Sequence, residues 1–426
     1  MQPIIIHSRK GFKQQMSKKI LSLLLATALS VSLFGCRQID DFTVSGSSSS
    51  KSNSSDLSAV SSESLPAKDP VSIKLVAAGD NLIHNGIYDQ ARARAGGSGY
   101  DFNYAYQNIK PLINGDINVL NQETLLVAPT FAPSNYPLFS TPVEVGDLMI
   151  EMGFNVFTLA NNHMLDKGAK GIQTSLEYFD KQKEKDVITA GQIRNQAELD
   201  EIRTITKKDV TVGFVSITEH TNGLSLSSGN DIKILYTSDE EAIEKQIKAT
   251  KEKSDIVVVA AHWGVENSGI VSDKQKELAQ KMVNWGAGLI IGTHPHVLQP
   301  MEYLQNPDGD KVLVAYSLGN FISAMNKAPC MLGGLLDLEI TKNYAAGKTA
   351  VTSVSFVPIV THFDARYQNI RVYPYEKYTE ELANKHGVRT VKGGYSGFNK
   401  AYLEKLLYKA IDEEFLKGST VNTVSN

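Results

Sequence analysis

The sequence predicts an α/β fold built on a largely parallel sheet, and three observations carry that prediction. From residue 71 onward, short apolar runs rich in β-branched residues alternate with stretches of helical spacing. Polar clusters repeatedly follow the apolar runs, as they do where strands end in a crevice. The last third holds consecutive strand-like runs with no helix between them, so part of the sheet is antiparallel.

The elements follow in order. Ile73–Ala78, Ile117–Leu120 and Asn155–Leu159 are strands. Between the last two, Val143, Leu148, Met149 and Met152 recur at helical spacing and stop at Gly153. Gly171–Gln182 reads as a helix leading into the strand Val187–Ala190. Val210–Ile217 is a strand, Asp239–Lys253 a charged helix, and Ile256–Ala260 an apolar strand. Asp273–Trp285 gathers Leu278, Met282, Val283 and Trp285 near one face, hence a helix. Strands over Leu289–Ile291, Val312–Tyr316, Leu335–Ile340 and Val351–Val357 lead to a final helix over Tyr402–Phe415.

The N-terminus reads differently. Lys18-Lys19 precede an apolar stretch from Ile20 to Phe34 and then Gly35-Cys36, the pattern of a secretory signal. Cys36 resembles the lipidated Cys of a bacterial lipobox, which places the chain outside the cytoplasm on a lipid anchor. Met1 and Met16 are both possible starts, since Met16-Ser17-Lys18-Lys19 makes a compact basic leader. The expected organisation is a signal over 1–36, a Ser-rich tether over 37–70, a catalytic-type domain over 71–360 and a C-terminal extension over 361–426. A formal charge of −3 on 426 residues carries no basic footprint for nucleic acid. After Cys36 only Cys330 remains, so no intrachain disulfide is expected and Cys330 reads as a small core residue. The stretch from about Arg366 to Gly397 is rich in Tyr, Lys and Arg and reads as a solvated face or a polymer contact.

Five polar clusters end apolar runs. They are Gly79-Asp80 with His84, Asn121-Gln122-Glu123, Asn161-Asn162-His163, His262-Trp263-Gly264-Val265-Glu266, and Gly292-Thr293-His294-Pro295-His296. The last holds two of the chain's nine His. Asp, Glu, His and Asn are the groups that bind divalent cations or move protons. A carboxylate at a buried strand end is costly unless paired or metal-bound. Taken singly, Asp80 can be a turn cap, Glu123 half of a salt bridge and an Asn of the third cluster a helix cap. Taken together they predict one convergent site. Asp166, three residues past His163, can orient its ring. Gln299 and Asn320 are expected as substrate contacts, with His84, Asn161 and Glu266 beside them. Mixed N and O donors fit Mn, Fe or Zn better than Mg or Ca, with one or two cations held. Ser317 lacks a nucleophile elbow and reads as a turn under the site.

These clusters, with Ser317-Leu318-Gly319-Asn320-Phe321, resemble in order the motifs of the CapA family of poly-γ-glutamate capsule synthesis proteins over residues 72 to 325. The resemblance implies a calcineurin-like metallophosphatase fold, a sandwich of mixed β-sheets flanked by helices. It implies Asp80 as a ligand of one metal, Glu123 as the bridging carboxylate and Asn162 as a ligand of the other metal. His262 and His294 would complete one shell, His296 the other, and His163 would be the acid. The usual Asp-x-His opening is here Asp80 with His84 four residues on, and the usual bridging Asp is Glu123, so a one-metal site fits the pattern as well. The implied partners are poly-γ-glutamate or another anionic polymer, membrane-bound capsule synthase subunits, and the membrane through the lipid anchor.

Two functions follow. One is a metal-dependent hydrolase of phosphoester or amide bonds within capsule biosynthesis, export or anchoring. The other is a non-catalytic lipoprotein that keeps the fold and binds polymer or a partner. A solute-binding lipoprotein is a third reading, but it needs no metal-type clusters.

Overall fold

The computed structural model describes residues 68–421. The expected signal, the lipidation site Cys36, and the tether up to residue 67 lie outside the described residues. Along the chain the strands are β1 (Val71–Asn81), β2 (Ile117–Asn121), β3 (Leu126–Ala128), β4 (Thr141–Pro142), β5 (Val156–Thr158) and β6 (Ile188–Ala190). Then come β7 (Arg203–Lys207), β8 (Val210–Thr218), β9 (Ile256–His262), β10 (Leu289–Thr293), β11 (Leu298–Gln305) and β12 (Lys311–Leu318). The last are β13 (Asn320–Ile322), β14 (Leu332–Asn343), β15 (Lys348–Asp364), β16 (Gln368–Pro374) and β17 (Ser419–Thr420).

Two large sheets form. The first runs β16-β15-β14-β1-β2-β5-β6, with β13 pairing β1 and β17 pairing β15; the second runs β11-β12-β10-β9-β8-β7. In each sheet a parallel half adjoins an antiparallel half. β1, β2, β5 and β6 pair in parallel, while β14, β15 and β16 add antiparallel to β1. In the second sheet β8, β9, β10 and β12 are parallel, and β7 and β11 close the edges antiparallel. The expected mixed-sheet α/β architecture with flanking helices is therefore what the structure shows.

Strand alternation explains the layers. Along β9, Ile256 and Val258 join the core shared with the first sheet, while Val257 and Val259 face the helices Glu240–Lys251 and Asp273–Trp285. β10 repeats this, with Leu289 and Ile291 inside and Ile290 outside. The same period puts His262, four residues past Val258, on the inner face. The helix Asp273–Trp285 begins with a capping box between Ser272 and Gln275 and ends at Gly286, whose φ is 117°.

Two sequence expectations change. The helix foreseen over Tyr402–Phe415 is Lys400–Ala410, an extended Ile411, and a short helix Glu413–Lys417. Ile411 leaves helical geometry to bury its side chain in the core. The stretch Arg366–Gly397 is not simply a solvated face. Ile370 and Val372 of β16, with Tyr378, Ala383 and Val388, are buried. β15 crosses residue 360 and pairs with β16, so residues 368–374 extend the first sheet. β11 and the helix Asn85–Arg94 were not foreseen, because their apolar positions are sparse.

Candidate metal centre

The site lies where β1, β2, β9 and β10 end. At Gly79 a Cβ would lie 1.9 Å from the Gly319 carbonyl oxygen, so only Gly lets β1 pass that close to the turn after β12. Asp80 follows, donating its own N–H to that carbonyl at 3.0 Å. Its carboxylate is wholly buried and multiply held. Oδ1 accepts from Asn121 Nδ2 at 2.7 Å, the His294 N–H lies 3.3 Å from both oxygens, and Oδ2 is 3.1 Å from His296 Nδ1.

The turn Thr293-His294-Pro295-His296 takes an unusual path. His294 has φ 96° and His296 φ 59°, so both residues beside Pro295 occupy the left-handed half of backbone space. Non-glycine residues rarely hold such angles, and where they do the surroundings must enforce it. The result brings both rings into one crevice: His294 Nδ1 is 3.2 Å from His262 Nε2, and His296 Nε2 is 3.7 Å from Glu123 Oε1. His296 Nδ1 faces two acceptors, Asp80 Oδ2 at 3.1 Å and Asn320 Oδ1 at 3.0 Å. It therefore carries the proton, and Nε2 is the nitrogen presented to Glu123.

His262 is placed by register. Thr293 of β10 sits opposite it, and the Thr293 hydroxyl lies 3.0 Å from His262 Nδ1. His262 Nε2 then meets Asn162 Oδ1 at 2.9 Å and Glu123 Oε1 at 3.8 Å. Beside this group, His163 Nδ1 donates to Asp166 Oδ2 at 2.8 Å, and the same oxygen accepts the Phe139 N–H at 2.7 Å.

The electrostatics match this geometry. Burial lifts the Glu123 carboxyl well above its ordinary range; His296 opposes the rise, while Asp80, Glu266 and Asp166 add to it. Burial, then His294, His296 and His163, hold His262 well below the usual imidazole value. Burial and the neighbouring imidazoles of His296, His220 and His163 lower His294 to about 2. Burial disfavours charge on His296 too, but Glu123 and Asp80 outweigh it and raise the ring to about 10.

The donor set fits a divalent cation. Both oxygens of Glu123 are buried without a hydrogen-bond partner. Such a carboxylate is costly unless a cation or donor meets it. Ligand atoms of Asp80, Glu123 and His296 lie within 4.8 Å of one another. Asn162 Oδ1 and His294 Nδ1 gather around His262 Nε2, which lies 3.8 Å from Glu123 Oε1. Burial keeps His262 and His294 neutral. A cation at Glu123 and Asp80 would take the place of the proton those carboxylates hold on His296, which is the chemistry of a transition-metal site.

Of the predicted site residues, the structure brings together Asp80, Glu123, Asn162, His262, His294 and His296, with His163 and Asp166 alongside. The expected substrate contacts fall elsewhere. Gln299 is buried, donates both amide hydrogens to the carbonyls of Ser268 and Ile270 at 3.0 Å each, and accepts from Gln275 at 2.9 Å. It braces the loop after β9. Asn320 is buried and spends its oxygen on His296. Asn161 accepts the His163 N–H at 3.0 Å and donates to the Gln122 carbonyl at 3.1 Å. All three support the site from behind. His84 precedes the helix Asn85–Arg94; its Nδ1 lies 3.2 Å from the Ala324 N–H, and its ring sits edge-on to Phe139. Glu266 is exposed on the loop after β9. Asn121, Thr293, His220 and Asn222 were missed. Asn121 stood inside a recognised cluster. His220 and Asn222 follow β8 as the other clusters follow their strands, and that position was the available signal.

Residues 74–325 match the family model described as the bacterial capsule synthesis protein PGA_cap. The chain belongs to this family. It is 31% identical over 214 residues to the PGA biosynthesis protein CapA of Bacillus subtilis (strain 168), covering 50% of this chain and 54% of that protein. It is 34% identical over 184 residues to the capsule biosynthesis protein CapA of Bacillus anthracis, covering 40% of this chain and 41% of that one. The chain thus spans about half the length of the curated relatives it matches. Among solved structures, a phosphatase of Mycoplasma pneumoniae aligns with TM-score 0.41 and 12% identity, over 68% of this chain and 94% of that one. The NAD nucleotidase of Haemophilus influenzae aligns with TM-score 0.41 and 14% identity, over 80% of this chain and 60% of that one. The matched span, residues 74–325, contains the whole cluster from Asp80 to His296.

Proposed function

We propose that this chain is a metal-dependent hydrolase acting in poly-γ-glutamate capsule biosynthesis, export or anchoring. The observation that carries the reading is Glu123, a buried carboxylate without hydrogen-bond partners, which has Asp80, His296 and His262 near it and Asn162 and His294 against His262. Family membership and the capsule names of its relatives supply the biological context. Mixed N and O donors favour Mn, Fe or Zn.

A bound divalent cation supplies Lewis-acid polarisation of a phosphoryl or carbonyl oxygen and charge to stabilise a developing oxyanion. The chain's own residues do the rest. Asp80, Glu123, Asn162, His262, His294 and His296 are the holding groups. His163 is the general acid in its imidazolium form. Its Nδ1–H is donated to Asp166, whose carboxylate stabilises the positive ring. Nε2–H is the proton given to a leaving group, which returns the ring to neutral. Buried β-strand ends exclude water from the holding groups, while Glu266 and the half-buried His84 lie on the accessible side.

The reading extends to location. Cys36 anchors the protein by a lipid on the outer side of the membrane, where capsule synthase subunits and anionic polymer are its partners. Replacing Cys36 by Ser should release the protein from membranes; unchanged fractionation would contradict the anchor.

A single cation is a second arrangement, and one observation favours it. His84 does not join Asp80, which leaves Asp80, Glu123 and His296 as the group whose ligand atoms lie within 4.8 Å of one another. Elemental analysis of the purified protein after exposure to Mn or Zn decides the number. The double variant His294→Ala, His296→Ala should lose bound metal and hydrolysis of a generic phosphodiester together. A protein that binds no metal, with a double variant that still supports polymer production, sinks the hydrolase.

A further inference from the structure

The loop leaving β8 approaches the centre from a side that no recognised motif pointed to. Thr218 ends β8 directly opposite His262. Four residues later, the Asn222 amide touches two site groups. Asn162 Nδ2 donates to Asn222 Oδ1 at 3.3 Å, and Asn222 Nδ2 lies 3.5 Å from His163 Nδ1. The second contact adds no hydrogen bond, because His163 Nδ1–H is already donated to Asp166.

The loop is itself fixed. Thr218 Oγ1 donates to the His220 carbonyl at 3.0 Å, and the Asn222 N–H donates to His220 Nδ1 at 3.3 Å. Thr221 Oγ1 donates to the Leu224 carbonyl at 2.7 Å. The His220 ring stands edge-on to His294 with centroids 5.0 Å apart. Asn222 has φ 51°, a left-handed conformation that Asn and Gly accept more readily than other residues.

The orientation of Asn162 is what this loop controls. A side-chain amide has an acceptor end and a donor end, and only the oxygen can ligate a cation. Asn162 Oδ1 lies 2.9 Å from His262 Nε2, inside the cluster. A flipped amide would turn its NH2 group there and oppose a cation. By accepting from Nδ2, Asn222 Oδ1 selects the productive orientation.

We propose that Asn222 is a positioning residue that holds the Asn162 amide oxygen toward the centre and thereby raises its affinity for a divalent cation. The inference rests on the metal-centre reading above. Partners of metal ligands are typically worth about 10–100-fold in metal affinity.

The test uses the full chain, purified in detergent and titrated with Mn²⁺ calorimetrically and with Co²⁺ by visible absorption. Asn222→Gly removes the amide while tolerating the backbone conformation, and should weaken cation binding by about 10–100-fold. Asn222→Asp keeps an oxygen acceptor and should stay within about threefold of the parent. In an Asn162→Asp background, where either carboxylate oxygen serves, Asn222→Gly should cost less than about threefold, a non-additivity that general loop damage would not produce. Equal affinity of the parent and Asn222→Gly overturns the inference alone. So does an equal loss in Asn222→Gly and Asn222→Asp. A parent chain that takes up neither ion overturns the metal-centre reading itself.

Discussion

Glu123 shows why single residues at this site carry opposite demands of stability and function. Its buried carboxylate without a hydrogen-bond partner is costly to the folded chain, and in the proposed metal centre a cation would offset that cost. Replacing it with Gln should stabilise the metal-free protein and abolish metal uptake, measured by urea denaturation and elemental analysis. A Gln variant that binds metal like the parent would contradict its holding role. Gly292 is constrained sterically. A Cβ there would lie 1.9 Å from the Tyr316 carbonyl oxygen and 2.8 Å from Trp263 Nε1. Gly292→Ala should therefore destabilise the protein by about 1–3 kcal/mol or more, as overpacking does, and a midpoint of urea denaturation equal to the parent's would refute it. Cys330 is fully buried, and burial raises its thiol to about 12. It should resist thiol reagents at neutral pH until the protein unfolds; rapid labelling of the native chain would show that its site opens.

At the scale of elements, strand ends and the loops that follow them build the centre. Alternation along β9 sends His262 inward, and the β9–β10 register sets Thr293 against it. The loop after β9 is then tied down by Gln299, which donates to Ser268 and Ile270. Gln299→Ala removes both bonds, leaves the buried Gln275 amide unmet, and should destabilise the protein by about 1–3 kcal/mol. Hydrogen exchange should accelerate first in residues 264–272, and exchange confined to other segments would refute the bracing role. This element-level role was not legible in the sequence. Gln299 stood beside a His cluster, and proximity along the chain read as contact with a ligand. The sequence did reveal the strands β1, β8, β9 and β10, because continuous apolar runs bounded by Gly or polar clusters are local signals. It did not reveal β11 or β16, whose alternating burial depends on the neighbours they pair with.

For the whole molecule, the two sheets and the C-terminal segment share one continuous core, and a buried imidazole pair lies within it. His386 accepts the Val388 N–H at Nδ1, 2.9 Å away, and Nε2 lies 3.0 Å from the Thr361 carbonyl, so its neutral form is fully satisfied. Burial and the neighbouring His362 lower it to about 3 from an ordinary 6.5. The unfolded chain therefore takes up this proton first as the pH drops. Stability should fall as the pH falls from about 6.5 toward 3, because the unfolded state binds more protons throughout that window. His362, also lowered by burial, works in the same direction. Urea midpoints across that range should decline less steeply in His386→Asn than in the parent; an identical slope would remove His386 as the cause.

By itself the sequence determined the α/β class, the order of most elements and five of the strand-end clusters, because hydrophobic period and turn residues are properties of neighbours along the chain. It also pointed to Asp80, Glu123, Asn162, His262, His294 and His296, which the structure brings together, since Asp, Glu, Asn and His at strand ends have few cheaper uses. Only the tertiary structure decided which of those groups converge. Asn161, Gln299 and Asn320 carry the same chemistry as the residues that converge, yet backbone partners or His296 claim their polar atoms, and His84 turns its Nδ1 to the Ala324 N–H. Asn222 shows the reverse. Its place after β8 marks it only as a strand-end polar residue, and the turn there is what brings its amide to Asn162. Which atoms of a polar side chain remain unclaimed depends on contacts between segments far apart in sequence, and the fold alone supplies them.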